Sequence, residues 1–172
     1  MATGKGEVFQ LYLLRHAHAA WPAAGRRDFD RVLDEQGRAE AEDVARQAGL
    51  AGLRPEMIIS SPAARCLETS AIFAETTDSP QITYDETLYT DGMEAYVEKI
   101  RLNQERESLM LVGHNPMIEG LAAMLGASGQ IAEQLAHGYP TAGLLSLEFD
   151  RPLPSSLLHK ARKLHLITPD IE

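Results

Sequence analysis

The chain has 172 residues and is short of cysteine, of lysine and of long apolar runs. Its single cysteine, Cys66, excludes an internal disulfide, as expected of a reducing compartment. No apolar run approaches the roughly 18 residues that a membrane-spanning helix needs. The first seven residues are polar and lack the apolar stretch of a signal peptide. These absences point to a cytoplasmic protein with no membrane partner. Basic residues are also outnumbered, 16 against 25 acidic, for a net charge of −9. Such a surface repels nucleic acid, so none is expected as a partner. Any phosphate site must therefore make its own positive field. The basic residues are mostly arginine, whose guanidinium grips phosphate in bidentate fashion. A GC-rich genome produces the same bias.

What is present suffices for one compact α/β domain over residues 1–172. At 44% apolar the chain can bury a sizeable core without a disulfide or metal staple. Short apolar runs at 8–14, 57–60, 81–84 and 108–113 read as strands. Between them, helical periodicity covers 35–50 and 92–104. Ser61-Pro62 reads as the N-cap and first position of a helix running to about Glu75. Asn115-Pro116 opens another that ends near Gly126, and 130–137 reads as a short helix. Residues 19–36 read as loop. Ala142–Phe149 and Ala161–Ile167 read as a closing antiparallel pair. Strands alternating with helices predict a three-layer fold, with a mostly parallel sheet flanked by helices and an antiparallel edge near the C-terminus. No repeat, linker or low-complexity tract interrupts it.

Three segments place reactive side chains at strand ends. Arg15-His16 follows the first strand, Ser61-Pro62-Ala63-Ala64-Arg65 the second, and Gly113-His114-Asn115-Pro116 the fourth. Ligand sites of open parallel sheets lie beyond the carboxyl ends of the strands. Helices starting there also aim backbone N–H groups at an anion. Two histidines and two arginines, remote in sequence, are therefore expected in one crevice. A neutral imidazole can attack phosphorus and become a phosphohistidine, while guanidinium groups stabilise the equatorial oxygens. That chemistry needs neither metal nor cofactor.

The stretches Leu14-Arg15-His16-Ala17, Ser60 to Thr69 and Val112-Gly113-His114-Asn115-Pro116 resemble the histidine phosphatase superfamily, the phosphoglycerate-mutase-like group marked by an Arg-His-Gly motif near the N-terminus. The short length, Asp30-Arg31-Val32-Leu33 and Gly37 resemble its small SixA-like branch, named for a phosphohistidine phosphatase acting on signalling proteins. The resemblance implies His16 as nucleophile, Arg15 and Arg65 as phosphate ligands and His114 as the second pocket histidine. It implies a phosphorylated protein bearing phosphohistidine, or else a small phosphorylated molecule, as substrate. Larger members use a carboxylate after the third strand as general acid; Glu86 is the candidate here and Asp91 the next. Two departures stand out. The motif glycine is Ala17, and the asparagine that larger members carry a few residues on is missing from His18-Ala19-Ala20-Trp21. His18 and Arg31 are possible rim residues. Trp21 reads as a loop anchor packed on the core, with a place on the rim as the other reading.

Three rivals remain. His16-Ala17-His18 suits a metal-dependent hydrolase, but those barrels run longer and no further ligand cluster is evident. A cysteine phosphatase needs Cys-x5-Arg, whereas Ile72 stands six residues after Cys66. A non-catalytic phosphoprotein-binding module would use the same pocket without turnover.

Overall fold

A computed structural model describes residues 6–79 and 81–171, which leaves most of the polar N-terminal stretch outside the described residues. Six strands form one sheet: β1 (Val8–Arg15), β2 (Met57–Ser60), β3 (Ile82–Tyr84), β4 (Ser108–Gly113), β5 (Leu144–Asp150) and β6 (Arg162–Ile167). Their order is β3-β2-β4-β1-β5-β6. The first four positions run parallel, β5 runs antiparallel to β1, and β6 antiparallel to β5. The helices are α1 (Glu35–Leu50), α2 (Ala64–Thr77), α3 (Thr87–Thr90), α4 (Met93–Leu102), α5 (Met117–Leu125) and α6 (Gly129–Gln134). This is the predicted mostly parallel sheet with an antiparallel C-terminal edge.

Alternation along β1 divides the core between the two faces of the sheet. Phe9, Leu11 and Leu13 pack with Tyr96 and Ile100 of α4 and Ile118 and Leu121 of α5. Tyr12 and Leu14 pack on the other face with Val44, Ala45 and Ala48 of α1 and Phe73 of α2. β1 is central, so both of its faces are covered. That explains why its sequence is a near-continuous apolar run.

The register sets where the site forms. β1 pairs with β4 so that Arg15 lies opposite Gly113. β4 pairs on its other side with β2, with Ser60 opposite Val112. Three strands thus end in one row. Gly113 is needed there, because a Cβ would sit 2.1 Å from the Tyr96 hydroxyl.

Several boundaries differ from the sequence reading. α2 begins at Ala64 with Ala63 at its N-cap, not at Ser61. Ser61 is buried, and its hydroxyl turns to His114. β5 begins at Leu144, because Ala142 lies at φ 56°, outside the strand region. The stretch 19–36 is not all loop. Ala19 pairs with Leu33 in an isolated bridge, and Asp28–Asp30 forms a 3-10 turn. α3 is too short for its periodicity to register in the sequence.

α1 docks on the segment after β1 through Gly37. Asp34 caps the helix by accepting from the Gly37 N–H at 2.8 Å. A Cβ on Gly37 would lie 1.9 Å from the His18 carbonyl oxygen. Alanine normally stabilises a helix interior by up to about 1 kcal/mol over glycine. Gly37→Ala is expected to do the opposite, costing about 1–3 kcal/mol through overpacking. Gly49→Ala, on the same helix with nothing within 4 Å, should be neutral or stabilising. Urea denaturation of both variants checks the pair.

Candidate active site

His16 follows the last residue of β1. Its N–H donates to the Gly113 carbonyl at 3.1 Å, so the parallel ladder itself sets the backbone. Its ring Nδ1 lies 2.8 Å from the Ala17 carbonyl oxygen. A carbonyl only accepts, so Nδ1 carries the hydrogen and Nε2 keeps a free lone pair. Ala17 is fully buried and its N–H donates to Thr69 Oγ1 at 3.1 Å. It is not among the positive-φ residues, which is why alanine fits where the family motif has glycine.

Arg65 lies in the first turn of α2 and is 6% exposed. It donates to the Asp28 carbonyl at 2.8 Å, to Asp28 Oδ2 at 3.0 Å and to His114 Nδ1 at 3.2 Å. Because Nδ1 of His114 accepts, its Nε2 carries the hydrogen and donates to Ser61 Oγ at 2.8 Å. Arg15 donates to the Tyr139 carbonyl at 2.6 Å. The Nε–H groups of Arg15 and Arg65 are both buried, and neither has a hydrogen-bond partner among the described residues. The rings of His16 and His114 stand 5.3 Å apart.

Arg15, His16, Arg65 and His114 line a pocket of about 390 Å³, with His18 and Arg31 also in its wall. Among the described residues, no carboxylate lines it. A wider groove of about 720 Å³ lies past Thr141, which borders both. Among the described residues its walls carry Glu35 and Glu40 and no cationic group, which disfavours an anion.

Burial pushes the His16 imidazole down to about 3; Arg65, His114 and Arg15 add to this, and the bond to Ala17 opposes it. Burial and Arg65 hold His114 at about 4, against the pull of Asp28. Both rings are neutral at pH 7. Burial also draws the Arg15 guanidinium below its ordinary value, with Glu119 and Glu40 opposing.

Sequence reasoning missed the residues that hold this set in place. Asp28 partners Arg65 and also accepts from Arg31 at 3.2 Å and from the Tyr89 hydroxyl at 3.1 Å. Partial burial alone raises its carboxyl, but these bonds outweigh that and hold it at about 2. The Tyr89 ring packs 5.5 Å from that of His114. Neither residue carries a motif; each sits in a short turn whose position depends on the whole fold.

Other candidates lie elsewhere. Glu86 is exposed at the N-cap of α3 and is not in the pocket wall, and Asp91 is exposed too. Asp85 is tied to Lys99 at 2.8 Å. Trp21 is not packed on the core: it is 90% exposed and stands at the pocket rim. Nothing in a lone tryptophan of a polar loop signals which side it takes. Burial raises the Cys66 thiol to about 12, so it is inert as a nucleophile. Among the described residues, no group of three or more His, Cys, Asp or Glu is placed to share a metal ion, and no helix is long and apolar enough to cross a membrane.

The two histidines give a spectroscopic expectation. In ¹⁵N-edited NMR of the free protein, His16 and His114 should remain neutral from pH 8 down to 5. Adding inorganic phosphate should move the His114 midpoint upward, because a nearby anion favours the imidazolium.

Comparison with known proteins agrees with this geometry. The profile of the histidine phosphatase superfamily (branch 1) matches residues 11–89. An uncharacterised chloroplast protein of Arabidopsis thaliana is 34% identical over 131 residues, 69% of this chain and 60% of that protein. An uncharacterised protein of Mycobacterium tuberculosis is 32% identical over 146 residues, 78% of this chain and 85% of that one. A crystal structure from Agrobacterium tumefaciens, provisionally assigned as the phosphohistidine phosphatase SixA, is 40% identical with a TM-score of 0.82, covering 94% of this chain and 98% of its own. The strand-end histidines and arginines thus sit in a chain that belongs to the histidine phosphatase superfamily, in its SixA-like branch.

Proposed function

We propose that this phosphatase works through a phosphohistidine on His16 and that its substrate is a phosphohistidine borne by another protein. One observation carries the mechanism. His16 is a neutral imidazole with Nδ1 tied to the Ala17 carbonyl, so Nε2 holds a lone pair in a pocket whose wall also carries Arg15 and Arg65. Their guanidinium charge favours a phosphoryl group there.

In the proposed first step, Nε2 attacks phosphorus and the bond to the leaving group breaks. Arg15 and Arg65 stabilise the charge spread over the equatorial oxygens. Binding of the dianion brings a proton from solvent onto His114 Nδ1, which gives up the bond from Arg65 and donates to a phosphoryl oxygen. Water attacks phosphorus in the second step and frees His16. The reading of the substrate rests on an open pocket, on Trp21 exposed at its rim and on the likeness to a protein assigned as a phosphohistidine phosphatase.

Two measurements test this. His16→Ala should abolish turnover and acid-labile labelling by ³²P substrate while the circular dichroism spectrum is kept. Arg65→Ala should lower kcat by about 10²–10³. A His16→Ala enzyme with wild-type activity would refute the nucleophile. Next, kcat/KM is ranked for phosphohistidine-bearing phosphotransfer proteins, sugar phosphates and a chromogenic ester. The phosphoproteins should lead. If small metabolites lead by orders of magnitude, the substrate is a small phosphorylated molecule. Binding with no turnover of any of them would make the chain a phosphoprotein-binding module.

A further inference from the structure

The proposed mechanism leaves one role empty. The leaving group needs a proton when it is not already a good one, and neither Glu86 nor Asp91 lines the pocket. No other carboxylate among the described residues does. The titratable groups that share the wall are His16, His114 and His18, with Arg15, Arg31 and Arg65. His16 is the proposed nucleophile, and His114 is given to the phosphoryl oxygens through Nδ1, its Nε2 already donating to Ser61. That leaves His18.

The structure around His18 is built to hold it. Nδ1 lies 2.5 Å from Asp34 Oδ2. Asp34 is itself fixed, because its other oxygen caps α1 at the Gly37 N–H. Partial burial works against its ionisation, but the bonds from Gly37 and His18 outweigh this and hold the carboxyl below its ordinary value. Asp34 is thus an acceptor, which puts a hydrogen on Nδ1. The backbone of His18 is held as well. Its N–H donates to Glu40 Oε2 at 2.9 Å, its carbonyl accepts from the Asp34 N–H at 3.3 Å, and Gly37 packs against that carbonyl. Nε2 is the ring nitrogen with no partner among the described residues. Asp34 faces the ring, Glu40 holds the backbone N–H, and Arg15, Arg31 and Arg65 share the pocket wall with it.

From this geometry we infer that His18, oriented by Asp34, is the general acid and base of the reaction. The inference rests on the reading of His16 as nucleophile. In the first step a bond forms between His16 Nε2 and phosphorus. The bond from phosphorus to the leaving oxygen or nitrogen breaks with its electron pair, and that atom takes the proton from His18 Nε2. His18 is then neutral. In the second step water attacks phosphorus, the bond to His16 Nε2 breaks, and His18 Nε2 takes the proton from the water. His18 ends protonated, as it began. Asp34 is a positioning residue that keeps the ring in one orientation and compensates its charge.

A series of aryl and alkyl phosphates with leaving groups of rising basicity tests the inference. kcat/KM reports steps through the first irreversible one, here departure of the leaving group. His18→Gln and His18→Asn should lose more on poor leaving groups than on 4-nitrophenyl phosphate, with the difference reaching about 10²-fold, the scale of general acid catalysis. The plot of log kcat/KM against leaving-group pKa should steepen. Asp34→Asn, which keeps a capping oxygen, should give an intermediate loss with the same dependence on the leaving group, a dependence that a merely structural role would not produce. An equal loss across all leaving groups, or none, overturns the inference even when His16 still forms the phosphoenzyme. Absence of a phosphoenzyme in the wild-type protein would instead overturn the reading of His16, and this inference with it.

Discussion

The parallel pairing of β1 with β4 is the constraint on which the rest depends. With Arg15 opposite Gly113, and Ser60 opposite Val112 on the next strand, three chain segments leave the sheet in one row. The side-chain period of a strand is two, so a slip of one residue would exchange the faces of Leu13 and Leu14 and carry Arg15 and His16 with them. The apolar alternation that fills both core faces therefore also sets which way the reactive side chains turn. Packing and chemistry share one determinant here.

Electrostatics adds a second layer. A protein of net charge −9 holds a pocket whose wall, among the described residues, has three arginines and no carboxylate. Acids outside the pocket wall pair with the groups in it: Asp28 with Arg65 and Arg31, and Asp34 with His18. Within the pocket, burial keeps both imidazoles of the proposed reaction neutral, which suits one to attack and leaves the other able to gain a proton when an anion arrives.

Much of this was legible in the sequence because it is written in local patterns. The apolar runs of β1 and β4 and the periodicity of α1 are strong signals, and Arg15-His16, Arg65 and His114 stand at the strand ends those patterns define. The rest depends on long-range placement. Ser61 looks like a helix cap, but its hydroxyl is taken by a histidine 53 positions away. Asp28 and Tyr89 meet across 61 positions and belong to turns too short for periodicity to mark. Glu86 follows the third strand as the family pattern suggests, yet its side chain faces solvent. Trp21 could not be assigned from a polar neighbourhood, because exposure at a rim and packing under a loop leave the same sequence trace.

The hold that Asp28 keeps on Arg65 has a thermodynamic consequence. A free arginine side chain surrenders about 1.5–2 kcal/mol of rotamer entropy when it is fixed. Arg65 is fixed by two bonds to Asp28 and by burial before any ligand arrives. That loss is therefore charged to folding, and an incoming anion meets a guanidinium already at rest. The same arrangement makes the site stiff. It suits one small tetrahedral group whose surroundings vary, which is what an enzyme requires if it reads the phosphoryl group and leaves the carrier to the rim.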